Sequence, residues 1–270
     1  MVDRTSFISW EKAVLWLRSQ NQLQTLVKDC YYGENLKEEC IRYLGSAEWT
    51  EARSLLASDS PKKKVLDLGA GRGIVSLALA EDGWDTVALE PDASEVVGAR
   101  AIRSLKNRRI EVVEGCGENL PFHAETFDAV VARAVLHHSR DLFQLCKEVA
   151  RVMKKEAAFL AMREHVLSRN EDLPVFLARH PLHKLYGGEN AFTLSTYQSA
   201  FQQAGLRLLR TYGPACSNMN LHPKTRKELA VLRKKKLFNL VPLKLAETIN
   251  QVRGKMSMEP GRLYSFLLRK

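Results

Sequence analysis

An acid at the end of an apolar run is followed by three glycines at alternate positions: Val65-Leu66-Asp67-Leu68-Gly69-Ala70-Gly71-Arg72-Gly73. Glycine lets the backbone turn sharply and brings a ligand against the main chain with no Cβ between them. A helix opening at Ile74 would point its free N–H groups at the same place. An acid beside such a turn attracts a cationic or amine-bearing ligand and repels pyrophosphate. A sulfonium that also carries an α-amino group meets that condition. The next apolar run ends in Leu89-Glu90-Pro91-Asp92, 23 residues after Asp67. A carboxylate there can accept hydrogen bonds from both hydroxyls of an adenosine ribose. The dinucleotide fingerprint would need a third glycine at position 74, where isoleucine stands, so a nicotinamide-dependent oxidoreductase is the weaker reading. Either feature alone has a plain structural explanation; together, at the ends of consecutive strands, they point to a binding site.

A second group of reactive residues follows another apolar run, in Ala132-Arg133-Ala134-Val135-Leu136-His137-His138. If 127–131 is a strand of an open sheet, residues 132–138 border the ligand crevice, and Arg133 is counted with the residues contacting the ligand. A neutral imidazole can take the proton of a hydroxyl nucleophile, which makes His137, more than His138, a candidate base. The plainer alternative has one histidine capping a helix that starts near Ser139 or Asp141 and the other packing. The segment His180-Pro181-Leu182-His183-Lys184-Leu185-Tyr186-Gly187-Gly188-Glu189-Asn190 crowds imidazole, aromatic, carboxylate and amide groups beside a Gly-Gly hinge. There His183 or Tyr186 could bind an acceptor or act as base, and an ordinary surface loop is the alternative. No metal is expected, because His180 and His183 lack enough convergent partners.

These residues need a scaffold that brings strand ends together. Short β-rich runs at Lys64–Leu68, Thr86–Leu89, Ile110–Val113, Phe127–Val131 and Ala157–Ala161 alternate with helical stretches at Gly73–Glu81, Ala93–Leu105 and Asp141–Met153. That alternation predicts an α/β doubly wound fold: a mostly parallel seven-stranded sheet with helices on both faces. Leu206–Thr211 and Leu263–Leu268 supply the last two strands, the final one antiparallel and placed at the sheet edge. Residues 1–60 read as an N-terminal helical cap, with Trp10, Trp16, Tyr31, Tyr32, Tyr43 and Trp49 either shaping an acceptor pocket or simply forming core. The main domain then covers 61–270, with an acceptor-side insertion at 166–191 and a basic insertion at 214–261.

Composition narrows the class. The 270 residues are 45% hydrophobic and 27% charged, as in a globular protein. There is no long apolar run or secretory leader pattern, and five cysteines contain no Cys-x-x-Cys pair, which together suggest a cytoplasmic, reducing location. Much of the net charge of +10 is local, since 214–261 holds ten Lys or Arg against three Glu. Within 224–244 this basic stretch adjoins Leu237-Phe238-Asn239-Leu240-Val241, which suits an anionic acceptor or a membrane surface as well as a solvated face. RNA is less favoured because few aromatics interleave the charges.

The motifs VLDLGAGRG (65–73), LEPD (89–92), GCGENLPF (115–122) and FDAVVARAVLHH (127–138), with TLSTYQSAFQQAGL (193–206), resemble class I S-adenosylmethionine-dependent methyltransferases of the ubiquinone-biosynthesis type. The resemblance covers about half the chain. It implies S-adenosylmethionine as cofactor, with Asp67 toward the methionine amine, Gly69 and Gly71 lining the methionine portion and Gly73 allowing tight packing. It further implies Glu90 on the ribose, Pro91 near adenine, and Cys116, Gly117 and Glu118 around the adenine ring. The family usually has an acid where this chain has Cys116, which leaves room for a catalytically silent adenosyl-binding partner protein. The expected activity is methyl transfer to an oxygen or nitrogen of a small-molecule acceptor, such as an anionic, glycan or lipid-linked compound. RNA is the alternative acceptor. The Asn/Asp-Pro-Pro-aromatic motif of many base N-methyltransferases is absent, which argues against nucleic acid.

Overall fold

The computed structural model describes residues 7–56, 63–237 and 239–270. Four helices come first: α1 (Trp10–Ser19), α2 (Gln24–Asp29), α3 (Leu36–Leu44) and α4 (Ala47–Ser54). Ser9, Asn35 and Ser46 cap α1, α3 and α4 by accepting the N–H three residues on, satisfying donors the helices leave free. The alternating part runs β1 (Lys64–Leu68), α5 (Ile74–Glu81), β2 (Asp85–Leu89), α6 (Ala99–Ser104), β3 (Ile110–Val113), β4 (Phe127–Arg133), α7 (Leu142–Val152) and β5 (Met153–Leu167). It continues through α8 (Leu173–Arg179), α9 (His183–Tyr186), β6 (Phe192–Thr193), α10 (Leu194–Gln203) and β7 (Arg207–Tyr212). The chain closes with α11 (Arg226–Lys236), α12 (Leu243–Met256) and β8 (Arg262–Arg269).

The strands form one sheet in the order β3-β2-β1-β4-β5-β8-β7, with the two-residue β6 beside the end of β5. Strands β1 to β5 are mutually parallel and β8 is antiparallel to both neighbours. The doubly wound reading therefore holds, with two adjustments. The short β6 adds an eighth strand, and β8 lies between β5 and β7 rather than at the edge. Its run Tyr264-Ser265-Phe266 is buried, which an interior strand requires. Chain order reverses between β1 and β4, so the carboxyl ends of those strands flank the crevice where such sheets hold ligands.

Alternation along the strands divides the core in two. Leu66, Leu68, Val130, Phe159 and Phe266 face one side, packed under α7 and α10 by Leu145, Val149, Tyr197 and Phe201. Val65, Ala129, Val131, Leu160 and Met162 face the other, under Ala78 and Leu79 of α5 and Tyr43 and Trp49 of α3 and α4. Helices α3 and α4 thus belong to the helical layer of the domain itself. The covering part is α1 and α2, whose Leu17, Val27 and Leu26 pack with Leu182, Leu185 and Tyr186 of the insertion. N-terminal helices and insertion build that cover jointly. Among the described residues no helix is long and apolar enough to cross a membrane.

Candidate active site

Strand β1 delivers Asp67 at its buried end, and the glycine-rich turn follows directly. Gly69, Gly71 and Gly73 all take positive φ, at 65°, 56° and 83°, a region that favours glycine. Their uses differ. A Cβ on Gly69 would lie 2.7 Å from a Val135 methyl, and one on Gly73 would press on Ile102 and Leu105 at 3.1 to 3.3 Å. Both permit close packing. Only at Gly71 does nothing stand within 4 Å, which makes it the open floor of the bend.

The neighbouring strand β2 brings Glu90 to the same place. Its carboxylate accepts the Gly71 N–H at 2.6 Å and the Asp92 N–H at 3.0 Å. Burial pushes Glu90 above the usual carboxylate range, and the two N–H bonds counteract this. Asp67 is buried and accepts from Ser76 Oγ at 2.5 Å. Among the described residues Asp67 forms no ion pair, and burial raises it to about 7; the Ser76 bond opposes that rise and the negative Glu90 reinforces it. Two carboxylates with no ion pair among the described residues, beside a main-chain bend a Cβ would fill, fit a ligand that brings positive charge and hydroxyl donors. S-adenosylmethionine has both.

The remaining predicted contacts are less uniform. Pro91 and Cys116 lie exposed at the rim. A Cβ on Gly117 would meet Leu145 at 3.0 Å, and Glu118 accepts the Arg140 N–H at 2.8 Å, tying the loop after β3 to the start of α7. Arg133 departs furthest from expectation. Its guanidinium turns to Glu48 of α4, at 2.6 and 3.2 Å, below the rings of Tyr31 and Tyr43. It fastens the helical layer to β4. Arg72 plays a like part, donating to the carbonyls of Tyr31 and Gly33 at 2.7 and 2.8 Å and so holding the α2–α3 connection over the glycine turn.

On the acceptor side the structure assembles a cluster that spacing alone does not suggest. His137 is buried, and its Nδ1 lies 2.7 Å from Glu164 on β5. Glu164 also accepts the N–H groups of Val135, Leu136 and His137. Burial raises the Glu164 pKa and these N–H donors oppose the rise; against the ionised carboxylate His137 carries its proton on Nδ1 and keeps Nε2 free. Burial and the neighbouring His138 hold the His137 pKa well below the ordinary imidazole value. His138 sits in the same short turn with Nδ1 2.9 Å from the Gly188 carbonyl, and Asp141, not a histidine, caps α7. Tyr186 donates to Glu189 Oε1 at 2.5 Å. Burial and that carboxylate raise Tyr186 far above an ordinary phenol. His183 packs edge-on to Phe7. His180 faces Glu189, its Nδ1 3.7 Å from Oε1.

Glu48, Ser76, Glu164 and His165 escaped sequence reasoning. A signal existed for two of them. Glu164-His165 ends β5 beside His137-His138 after β4, and strand ends on that side line the crevice.

Residues 66–161 match the family model for the methyltransferase domain. The chain is 32% identical over 98 residues to the uncharacterized methyltransferase YcgJ of Bacillus subtilis, covering 36% of this chain and 39% of that protein. It is 31% identical over 109 residues to a ubiquinone biosynthesis O-methyltransferase of Azorhizobium caulinodans, covering 40% of each. These matches span about two fifths of the curated relatives' length. In fold it is similar to a geranyl diphosphate methyltransferase solved with S-adenosylmethionine, with a TM-score of 0.58 over 88% of this chain and 91% of that one at 16% identity.

Proposed function

We propose that this chain, which carries a class I S-adenosylmethionine-dependent methyltransferase domain, moves the sulfonium methyl onto an oxygen or nitrogen of a small-molecule acceptor. The observation that carries the reading is the pairing of Asp67 and Glu90 at the ends of adjacent strands, around the open Gly71 floor. S-adenosylmethionine, when bound, supplies an electrophilic methyl on a good leaving group. The protein's task is therefore positioning. Asp67 holds the α-amino group and Glu90 the ribose hydroxyls, while Gly71 leaves the methionine chain room against the backbone. Pro91, Cys116, Gly117 and Glu118 border the adenine end.

The acceptor enters between the β4 and β5 ends and the cover made by α1, α2 and α9. His137 Nε2 is the positioned group for a proton leaving a hydroxyl acceptor, with Glu164 fixing the ring. His183 and Tyr186 act as cover and support. Names among the relatives favour a small molecule of quinone type as the first acceptor to assay. The basic α11–α12 hairpin, with Leu240 83% exposed, supports an acceptor held at an anionic surface, lipid-linked or phosphorylated. The location remains the cytoplasmic one its composition suggests.

Calorimetry with S-adenosylmethionine, S-adenosylhomocysteine and NAD tests the cofactor. Binding of the first two and not the third is expected; NAD binding alone would overturn the reading. Release of S-adenosylhomocysteine with demethylated quinone, glycan and lipid-linked acceptors separates an enzyme from a silent adenosyl-binding protein.

A further inference from the structure

We infer that His137, His165 and Glu189 form a binding site for one divalent transition-metal ion. One ligand-capable atom from each of the three lies within 4.8 Å of the others. Two imidazoles and one carboxylate suit zinc, cobalt or ferrous iron, and suit magnesium or calcium poorly. The site lies over the carboxyl ends of β4 and β5, with the insertion closing it from above.

The arrangement around the three residues is what metal ligation requires. A ligating imidazole normally donates its other N–H to a carboxylate or carbonyl, which fixes tautomer and ring orientation. His137 Nδ1 does this to Glu164 at 2.7 Å and His165 Nδ1 to the Gly261 carbonyl at 2.9 Å. A carbonyl can only accept, so the proton of His165 is on Nδ1, and the free lone pair of each ring is on Nε2. Tyr186 orients the carboxylate by donating to Glu189 Oε1.

As a purely hydrogen-bonded cluster, the same group is unfinished. Glu189 is buried and ringed by His137 Nε2 at 3.9 Å, His138 Nε2 at 4.0 Å and His180 Nδ1 at 3.7 Å. None of these is a hydrogen bond, and His180 Nδ1 is itself buried without a partner. Two tetrahedral ligands about 2.1 Å from one ion stand about 3.4 Å apart, so a contraction of about half an ångström brings His137 Nε2 and Glu189 to ligand spacing. Four of the chain's seven histidines converge there.

Three protein ligands leave a coordination position for water or a hydroxyl oxygen. An acceptor hydroxyl bound there would lose its proton to solvent through the ion's acidity, and His137 would then ligate rather than act as base. That use rests on the methyl-transfer reading; metal binding does not.

The test uses the full chain, stripped with chelator and titrated with Zn2+ by calorimetry and with Co2+ by visible absorption. One ion per chain is expected, with d–d bands of nitrogen-ligated cobalt that zinc abolishes. His165→Ala and Glu189→Gln should each weaken binding at least tenfold, while His123→Ala at the surface should not. Absence of saturable binding in the wild type, or wild-type affinity in both site variants, overturns the proposal. Should either variant fail to fold by circular dichroism, imidazole 15N spectra of the wild type decide. Zinc must then shift Nε2 of two rings that keep Nδ1 protonated, and unshifted rings refute the site. None of these readouts depends on methyl transfer.

Discussion

Glu48 of α4 and Arg133 at the end of β4 meet in a buried two-point ion pair, at 2.6 and 3.2 Å, with Arg163 3.8 Å from the same carboxylate. The Glu48 side chain is wholly buried. Burial by itself would raise its pKa, but Arg133 and Arg163 outweigh burial and hold it below the usual carboxylate range. Removing one partner strands buried charge, which costs about 3–5 kcal/mol. Glu48→Ala should therefore lower the urea-unfolding free energy by about that amount. A loss below about 1 kcal/mol would mean the pair is screened by solvent. Because the folded pKa is depressed, this stability is present above the unfolded value and drains away as pH falls through the folded one.

Asp67→Ala and Glu90→Ala should each reduce S-adenosylmethionine affinity at least tenfold, about 1.4 kcal/mol, by calorimetry. Both carboxylates are fixed by neighbouring donors, Ser76 for one and Gly71 and Asp92 for the other, so the loss should not be made up by another side chain. Unchanged affinity in both variants would remove the basis of the site.

The pH dependence of cofactor binding should carry the signature of Asp67. Its folded pKa of about 7 lies above the unfolded value of about 3.9. The empty protein therefore keeps a proton there that the unfolded chain has lost. This contribution is complete below about pH 4 and disappears as pH rises through 7. A cationic amine binds the deprotonated form, so affinity should climb with pH and level off above about 7. Asp67→Asn should flatten the profile; an unaltered slope in that variant would place the titrating group elsewhere.

Gly71→Ala separates strain from occupancy. Gly71 and Gly205 both have positive φ with nothing within 4 Å of a built Cβ. Alanine at either should cost stability about equally, about 1–2 kcal/mol for the left-handed backbone. Only Gly71→Ala should also weaken S-adenosylmethionine, since its methyl enters the proposed cradle. Equal affinities in the two variants would show that the ligand lies away from Gly71.

The α11–α12 hairpin exposes Leu232, Leu240, Leu245, Val252, Met256 and Met258 near the Arg233-Lys234-Lys235-Lys236 run. Co-sedimentation with vesicles rich in anionic lipid should show binding that fades with salt. Each lysine contributes about 1 kcal/mol at such a surface, so replacing Lys234, Lys235 and Lys236 with serine should reduce partitioning on the order of 100-fold. Binding that ignores both salt and the triple variant would exclude the electrostatic contact.

The strands and the glycine turn were legible because their causes are local. The runs 64–68 and 110–113 coincide with the observed strands, as short apolar runs set between breakers do. Asp67 and Glu90 were found for the same reason: a residue ending one strand and a residue ending the next in a βαβ unit lie side by side by construction. Where local cues misled, a tertiary partner had intervened. The pattern at 93–98 predicts helix, yet α6 begins at Ala99 because the Asp92 carbonyl accepts the Ala99 N–H and Glu11 of α1 holds the Glu95 and Val96 N–H groups.

By itself the sequence determined the α/β architecture, the glycine-rich bend and the two carboxylates beside it, since each follows from contacts within one βαβ step. Only the folded chain decided the partners of Arg133 and the gathering of His137, Glu164, His165, His180 and Glu189. Those residues come from β5, the turn after β4 and the insertion, and their meeting depends on a register shift in β5 between Ala161 and Glu164, where Arg163 takes φ 60°. One extra residue in a strand reverses which face the following side chains occupy. No periodicity read along the chain carries that information, because the shift is fixed by pairing with β8, about a hundred residues away.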